Sequence, residues 1–312
     1  MDLRQLSALV AIADHGSFSS AARALYTVQS NISGHIARLE KELGVTLIDR
    51  QRGGLTEDGA QVVERARRIL REMDDISADM ASRGDSVSGD SRLGVIGTTA
   101  RWLMPQFLPL AGRDHPLVHV TIFEGSTSNL LPRLAAGHLD ACIVHLPVDD
   151  PDLTIEPLFA EDMIVVVHNE HPWAAEGELS LQRVAAEPLL IPPKGTAMRR
   201  ILDRAAAAAD CTLRAQAEID GVRLLTSLAM EGYGPAIVPS TAVPRWLKGD
   251  FTRITVPELP RRVVGWVQRR RPVPGAPTRA MLKSMRETLE IRGPLQHGVH
   301  VGVDAFPVGK SN

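Results

Sequence analysis

The chain has 312 residues, a formal net charge of −2, and 44% hydrophobic, 23% charged and 4% aromatic residues. Its length exceeds one ordinary core and suits two or three units of ~100–200 residues. A charge this balanced excludes holding nucleic acid by bulk attraction, and so few aromatics exclude a stacking platform for single strands.

The first sixty residues read as short helices. Leu3, Leu6, Leu9, Val10 and Ala13 recur at helical spacing, and the run stops near Gly16. Ser17 and Ser19 offer caps for a second helix, expected to pack through Ala21, Ala22 and Leu25. After a break at Tyr26 and Thr27, a third helix is expected from about Val28 to Leu43, with Ile32, Ile36 and Leu39 inward and Gly44 as its stop. Val45, Leu47 and Ile48, a polar turn with Arg50, Arg52, Gly53 and Gly54, and then Leu55 read as a small β-hairpin, or wing. Residues 1–58 thus form one unit.

Thr56 can cap the next helix. It runs without proline to about Ala81, with an apolar stripe of Val62, Val63, Ala66, Ile69, Leu70, Met73, Ile76 and Met80. No neighbouring helix in that segment covers the stripe, so residues 59–81 are expected to pair with a second chain. Residues 82–91 are rich in Ser, Gly and Asp and read as a flexible hinge.

From Arg92 the period changes. Strands are expected at 93–96, 118–123, 141–145 and 163–168, and again at 189–191, 215–219, 236–238 and 263–268. Helices are expected at 126–136, 196–209, 222–231 and 276–291. Alternating strands and helices imply mainly parallel sheets covered by helices. Residues 92–291 read as two similar α/β lobes, the first from about 92–161 and 268–291, the second from 162–267. Residues 292–312 lack periodicity and read as a disordered tail.

Ser17–Glu40 carries what a helix-turn-helix needs: two short helices, a tight turn, and small polar residues at the start of the second. Gln29, Ser30, Asn31 and Ser33 face outward there, where amides can pair with adenine and hydroxyls with bases or phosphates. Between residues 17 and 60 Arg23, Arg38, Lys41, Arg50 and Arg52 balance Glu40, Glu42, Asp49, Glu57 and Asp58. Net attraction is therefore absent, and only placement of Arg38, Arg50 and Arg52 toward phosphate would help. For each of these residues the alternative is an ordinary solvated surface position.

FSSAARALYTVQSNISGHIARLEKELGVTLIDRQRGGLTEDG, from Phe18 to Gly59, closely resembles the N-terminal signature of LysR-type regulators. The likeness rests on Phe18, Ala21–Ala22, Leu25, Gln29–Ser30, Ile32–Ser33, Leu39–Glu40, Leu43–Gly44–Val45, Leu47, Arg50, Leu55–Thr56 and Gly59. It implies a winged helix-turn-helix that binds double-stranded DNA through Ser17, Ser19, Thr27, Gln29, Ser30, Asn31, Ser33, His35, Arg38, Arg50 and Arg52. Two positions depart from the family pattern. Gly34 stands where a long polar residue is usual, and Val28 where Ser or Thr is usual, so Thr27 is expected to cap the helix one residue earlier.

The second half resembles the LysR effector domain, itself similar to type 2 periplasmic-binding proteins, on RLGVIGTT, HPLVHVTIFEGST, LAAGHLDACIVHLP, PLFAEDMIVVVHNEHP and LLTSLAMEGYGPAIVP. The resemblance implies an effector of unknown identity between the lobes, near Thr98, Thr99, Ser126, Thr127, His145 and Thr196. The bland reading makes Thr98, Ser126 and Thr196 simple N-caps and His145 a strand-end histidine. The resemblance also implies a homodimer or homotetramer that recruits RNA polymerase.

The two cysteines, Cys142 and Cys211, are far apart, so a thiol switch between them is not expected. No catalytic motif, metal cluster or phosphate loop is recognisable, so neither an enzyme nor a cofactor is expected. A periplasmic-binding-like solute binder or enzyme with incidental DNA contact remains the alternative. The first residues lack a basic n-region, and no apolar run reaches membrane length, so a cytoplasmic location is expected.

Overall fold

The computed structural model describes residues 1–49, 54–81 and 86–302. Its N-terminal unit packs α1 (Leu3–His15), α2 (Phe18–Ala24) and α3 (Gln29–Leu43) around Leu6, Leu9, Ile12, Ala21, Ile32, Ile36 and Leu39. Asp2 and Gln5 form a capping box that starts α1, and left-handed Gly16 and Gly44 end α1 and α3. Leu25 does not join this core. It lies at the C-cap of α2 and is 40% exposed, because the helix ends before that turn faces inward.

The wing is β1 (Ile48–Asp49) paired antiparallel with β2 (Gly54–Leu55). Arg50 and Arg52 lie outside the described residues. Thr56 accepts the Gly59 N–H at 2.9 Å and starts α4 (Glu57–Ala81). Gly59 is needed there, since a Cβ would sit 2.0 Å from the Leu47 carbonyl oxygen. The expectation of a wholly unpartnered stripe on α4 is corrected in its first half, where Val63 and Ala66 are buried against α1. Farther along, Ile69, Met73, Ile76 and Met80 are 41–61% exposed at the spacing of a coiled-coil seam.

The rest of the chain forms two lobes. In the first, β3 (Ser88–Ile96), α5 (Gly97–Asp114), β4 (Leu117–Gly125), α6 (Thr127–Ala135), β5 (Ala141–His145) and β6 (Leu153–Glu161) follow in order. The chain then crosses to β7 (Met163–His168), α7 (Leu181–Ala185), β8 (Pro188–Ile191), α8 (Ala197–Ala208), β9 (Arg214–Glu218), α9 (Val222–Met230), β10 (Ala236–Pro239) and β11 (Phe251–Thr255). It returns through β12 (Arg262–Arg269), α10 (Ala276–Arg292) and β13 (Val299–His300).

Among the described residues the first sheet has the order β13-β6-β12-β5-β3-β4 and the second β11-β7-β10-β8-β9. Both are mixed rather than mainly parallel. β12 runs antiparallel to β5 and β6, and β7 antiparallel to β10 and β11. The first-lobe core centres on Trp102, Phe107, Phe159 and Trp266, and the larger second-lobe core on Val165, Val167, Trp173 and Leu202.

Three boundaries move from their expected places. β3 begins at Ser88, so residues 88–91 of the expected hinge pair with β4, and residues 82–85 lie outside the described residues. β12 belongs to the first lobe, because Val264, Trp266 and Val267 fill that core, so the second lobe ends near residue 261. The expected tail is ordered through residue 302, with β13 on the edge of β6; residues 303–312 lie outside the described residues. A helix also occupies Gly97–Asp114 despite Pro105 and Pro109. Trp102, Leu103, Phe107 and Ala111 bury one face of it, which offsets the ~3 kcal/mol a helical proline costs.

Candidate functional site

Two sites emerge, one at the N-terminus of α3 and one where the chain passes between lobes. Ser17 caps α2 by accepting the Ser20 N–H at 3.1 Å. Ser19 Oγ donates to Gln29 Oε1 at 3.0 Å, so α2 orients the first side chain of α3. The expected Thr27 cap is not formed. The N-cap is Val28, which makes no side-chain cap, and Thr27 Oγ1 instead accepts from Asn31 Nδ2 at 2.9 Å. The hydroxyl is engaged one turn into the helix, where the amide outcompetes the backbone.

Gln29, Ser30, Asn31 and Arg38 are exposed, and Ser33 and His35 half-buried, on the face away from the core. Arg38 Nη2 donates to His35 Nδ1 at 3.0 Å. Glu40 turns inward and accepts the N–H groups of Leu47 and Ile48 at 2.8 and 3.2 Å, locking α3 to the wing. One acid that seemed to weaken DNA binding is therefore occupied by structure. The uncapped N–H groups of a 15-residue helix leave its positive end open to phosphate.

Gly34 has open space where a Cβ would be and is not among the left-handed glycines. Gly34→Arg is therefore expected to fit, to add about 1 kcal/mol of helix stability, and to steepen the salt dependence of DNA binding by roughly one phosphate contact. Anisotropy titrations at several salt concentrations check it; an unchanged slope would mean this face of α3 does not approach the backbone.

The inter-lobe site is built around a buried ion pair. Arg262 Nε donates to Glu161 Oε1 at 2.8 Å, and both residues are 5% exposed or less. Glu161 ends β6 and Arg262 begins β12, the two strands where the chain leaves and re-enters the first lobe. Glu161 Oε2 accepts the Thr241 N–H of the second lobe at 3.0 Å, and Arg262 Nη2 donates to Thr98 Oγ1 at 2.8 Å. The pair thus straps both lobes to the start of α5.

Around it sit buried groups with no protein partner: Thr99 Oγ1, Thr241 Oγ1 and His145 Nε2. Burial, and then the Arg262 charge, push His145 down to about 3, so it is neutral at pH 7. Its backbone N–H donates to Thr127 Oγ1 at 3.3 Å. Thr98, Thr99, Thr127 and His145 are therefore gathered into one neighbourhood. Thr98 is no cap; it lies in the first turn of α5, whose N-cap is Ile96. Ser126 does cap α6. Thr196 caps α8 and donates to the Pro193 carbonyl, which ties it to its own lobe.

Glu161, Thr241 and Arg262 escaped sequence reasoning. Their contacts span 80–164 residues and match no motif. The available signal was charge: Glu161 and Arg262 stand at the ends of apolar strands.

A helix-turn-helix with a wing, a linker helix and a two-lobed α/β domain define a DNA-binding regulator with an effector-type domain. The family model described as "Bacterial regulatory helix-turn-helix protein, lysR family" matches residues 3–60, and that described as "LysR substrate binding domain" matches residues 84–290. The chain belongs to the LysR family and is a LysR-type DNA-binding transcriptional regulator.

The DNA-binding transcriptional dual regulator OxyR of Escherichia coli (strain K12) is 32% identical over 302 residues, which cover 94% of this chain and 96% of that protein. The hydrogen peroxide-inducible genes activator of Pectobacterium carotovorum subsp. carotovorum is 31% identical over 298 residues, covering 93% and 96%. Among solved structures, a full-length OxyR variant from Pseudomonas aeruginosa superposes with a TM-score of 0.74 at 25% identity, covering 93% of this chain and 95% of that one. Full-length CbnR complexed with its target DNA shares the fold, with a TM-score of 0.68 at 24% identity, covering 92% and 100%. Relatives that span nearly the whole chain are regulators, against a solute binder or an enzyme with incidental DNA contact.

Proposed function

We propose that this regulator reads a partly palindromic DNA site with paired α3 helices and is controlled by a small polar molecule held between its lobes. The observation that carries the effector reading is the cluster of unpartnered buried groups, Thr99, Thr241 and His145, beside the Glu161–Arg262 pair. Unsatisfied buried polar atoms are costly, and a bound molecule that pairs with them recovers that cost. Thr98, Thr127 and the N-terminal turn of α5 supply further polar contacts. Ser126 and Thr196, occupied as caps, line the cleft at most by their outer faces. Because His145 is neutral and Arg262 already paired, the cleft suits a neutral or singly charged ligand that both donates and accepts hydrogen bonds.

At the DNA end, Gln29, Ser30, Asn31 and Ser33 read base edges, while Ser17, Ser19, Thr27, His35 and Arg38 orient them or meet phosphate. Arg50 and Arg52, which lie between β1 and β2 in the sequence, are assigned to phosphate by the family resemblance alone. Two chains pair through Ile69, Met73, Ile76 and Met80, which sets two α3 helices about one turn of DNA (~34 Å) apart. A groove of about 760 Å³ between α5, β4 and α9, flanked by exposed Leu108 and Leu224, supports further self-association into a tetramer. The protein works in the cytoplasm, acts with RNA polymerase, and has no catalytic role or cofactor.

Selection of binding sites from fragmented source-genome DNA tests the reading. Recovery of a discrete, two-fold site is expected; recovery of unselective DNA released by modest salt would leave only electrostatic contact. The hydrogen peroxide in one relative's name raises peroxide sensing by a thiol, which is not carried over. It needs an accessible thiolate. Burial pushes Cys142, in the first-lobe core, up to about 12 and also raises Cys211, which is half-buried against the second-lobe core. Micromolar peroxide is accordingly expected to leave operator affinity unchanged within about twofold; a larger loss, reversed by thiol reductant, would restore the redox reading.

A further inference from the structure

The second half of α4 does more than expose an apolar seam, because its opposite face is seated on the first lobe. Asp79 Oδ1 accepts the Ala276 N–H at 2.8 Å and a bond from Arg279 Nη2 at 3.1 Å. Ala276 is the first residue of α10, whose own N-cap is Gly275 with no side chain to offer. A helix of 17 residues is thus capped from 197 positions away, by the arm that leads to the DNA-binding unit.

The seat is shaped for this contact. Gly275 has φ −60° and ψ 167°, a backbone any residue adopts, so conformation does not require glycine there. It does give room: a Cβ would lie 2.2 Å from Asp75 Oδ1, so a larger residue must displace that carboxylate. Gly89 and Gly137, whose φ of +125° and +75° already favour glycine, also lie against α4, with Cβ positions 3.3 Å from Ala78 Cβ and 3.1 Å from Arg68 Cγ. Three separate segments of the first lobe therefore approach one helix closely. α10 in turn packs on α5, whose first turn carries Thr98 and Thr99, and Thr278 of α10 bonds buried Ser91 of β3 at 3.0 Å. A continuous chain of packed helices joins the inter-lobe site to α4.

We propose that Asp79 is a positioning residue: by capping α10 it holds the linker helix at one angle to the first lobe, and loss of that cap is how a rearrangement of the lobes reaches the DNA-binding pair. The second half of this statement rests on the effector reading above; the first half does not. Capped and uncapped arms are two discrete arrangements, which a coupling of this kind requires.

The surroundings of Asp75 make the seat pH-sensitive. Asp75 is faced by Glu72 and Asp79 from α4, Asp140 at β5 and Arg269 on β12, with Asp90 and Arg92 on β3 and Arg279 on α10 nearby. Burial, then Asp140, Glu72 and Asp79, push it up to about 6. A carboxyl raised on seating stabilises the seated arm fully below about pH 4, and that contribution is lost as pH rises through 6. Seating therefore tightens on acidification from pH 7 to 5, and Asp75→Asn flattens the response.

The test uses the full-length protein on its selected operator, with no ligand added. Footprint length and DNA bend angle are measured for wild type, Asp79→Ala, Asp79→Asn and Gly275→Ala, with hydrogen exchange across residues 272–282. Asp79→Ala is expected to change footprint or bend and to raise exchange at the start of α10, while affinity for a single half-site stays within about twofold. Asp79→Asn, which keeps an oxygen to accept the Ala276 N–H, is expected to behave as wild type; a merely structural charge pair with Arg279 would not be rescued this way. Gly275→Ala keeps a compatible backbone and displaces the Asp75 carboxylate from the other side of the seat, so it covers the case in which Asp79→Ala fails to fold. Wild-type footprint and bend in either folded variant overturn the proposal. Because no ligand enters, an error in the effector reading would leave this result intact; it would show instead as a cleft variant with unaltered regulation.

Discussion

Gln29→Ala combined with Ser33→Ala is expected to weaken binding to the selected operator by roughly 100-fold, while weak binding to unrelated DNA at low salt is unchanged. Gln29 is exposed at the start of α3, and Ser33 follows one turn later on the same side. A glutamine amide pairs bidentately with adenine, and such a pair discriminates by about 1–3 kcal/mol, to which a serine contact adds. Alanine is the best helix former, so α3 persists and the loss reports readout rather than folding. Ser19→Ala removes the bond that aims Gln29 and is expected to give a smaller loss in the same direction. Gel-shift titrations on operator and scrambled DNA decide the matter. A double variant that still prefers the operator would move specificity to the wing, where Arg50 and Arg52 stand in the sequence.

Glu161→Ala is expected to lower the unfolding free energy by about 3–5 kcal/mol, because it strands a buried guanidinium. Arg262 is 5% exposed, and Glu161 supplies its charge partner. The same change orphans the Thr241 N–H, which now donates to Glu161. Replacing both members together, Glu161→Leu with Arg262→Met, is expected to recover part of the stability, since buried pairs exchange with packed apolar residues at little net cost while the Thr241 N–H stays without its acceptor. Urea unfolding of the three proteins measures this. A single variant as stable as wild type would mean that water reaches Arg262, and the strap between lobes would then be weak.

The helix-turn-helix was legible because its determinants are local. Ile32, Ile36 and Leu39 are one helical period apart and all are buried, and Gly44 takes the left-handed turn the sequence calls for. Leu25 misled because periodicity does not say where a short helix stops. The effector domain was legible as lobes but not as boundaries. The alternation in VVGWVQ announces a strand, yet nothing local says that it slots between β5 and β6, a hundred residues earlier. The segment after α10 looked aperiodic because its order comes from partners elsewhere: Gln296 accepts the Arg245 N–H, and Gly298 accepts from Asp162 and Ser240. The polar cleft was half visible. Thr98, Thr99, Thr127 and His145 follow strands and could be nominated by position, whereas Glu161 and Arg262 matter only because folding brings strand ends together.

The place of β12 also fixes the order in which the molecule can be finished. Residues 1–81 hold their own core, and the second lobe is one unbroken stretch, so both can fold as they leave the ribosome. The first lobe cannot. Its sheet lacks the strand between β5 and β6 until residues 262–269 emerge, and α10 and β13 come later still. Glu161 therefore waits a hundred residues for Arg262. A nascent chain can present α3 well before β12 closes the sheet that carries Glu161.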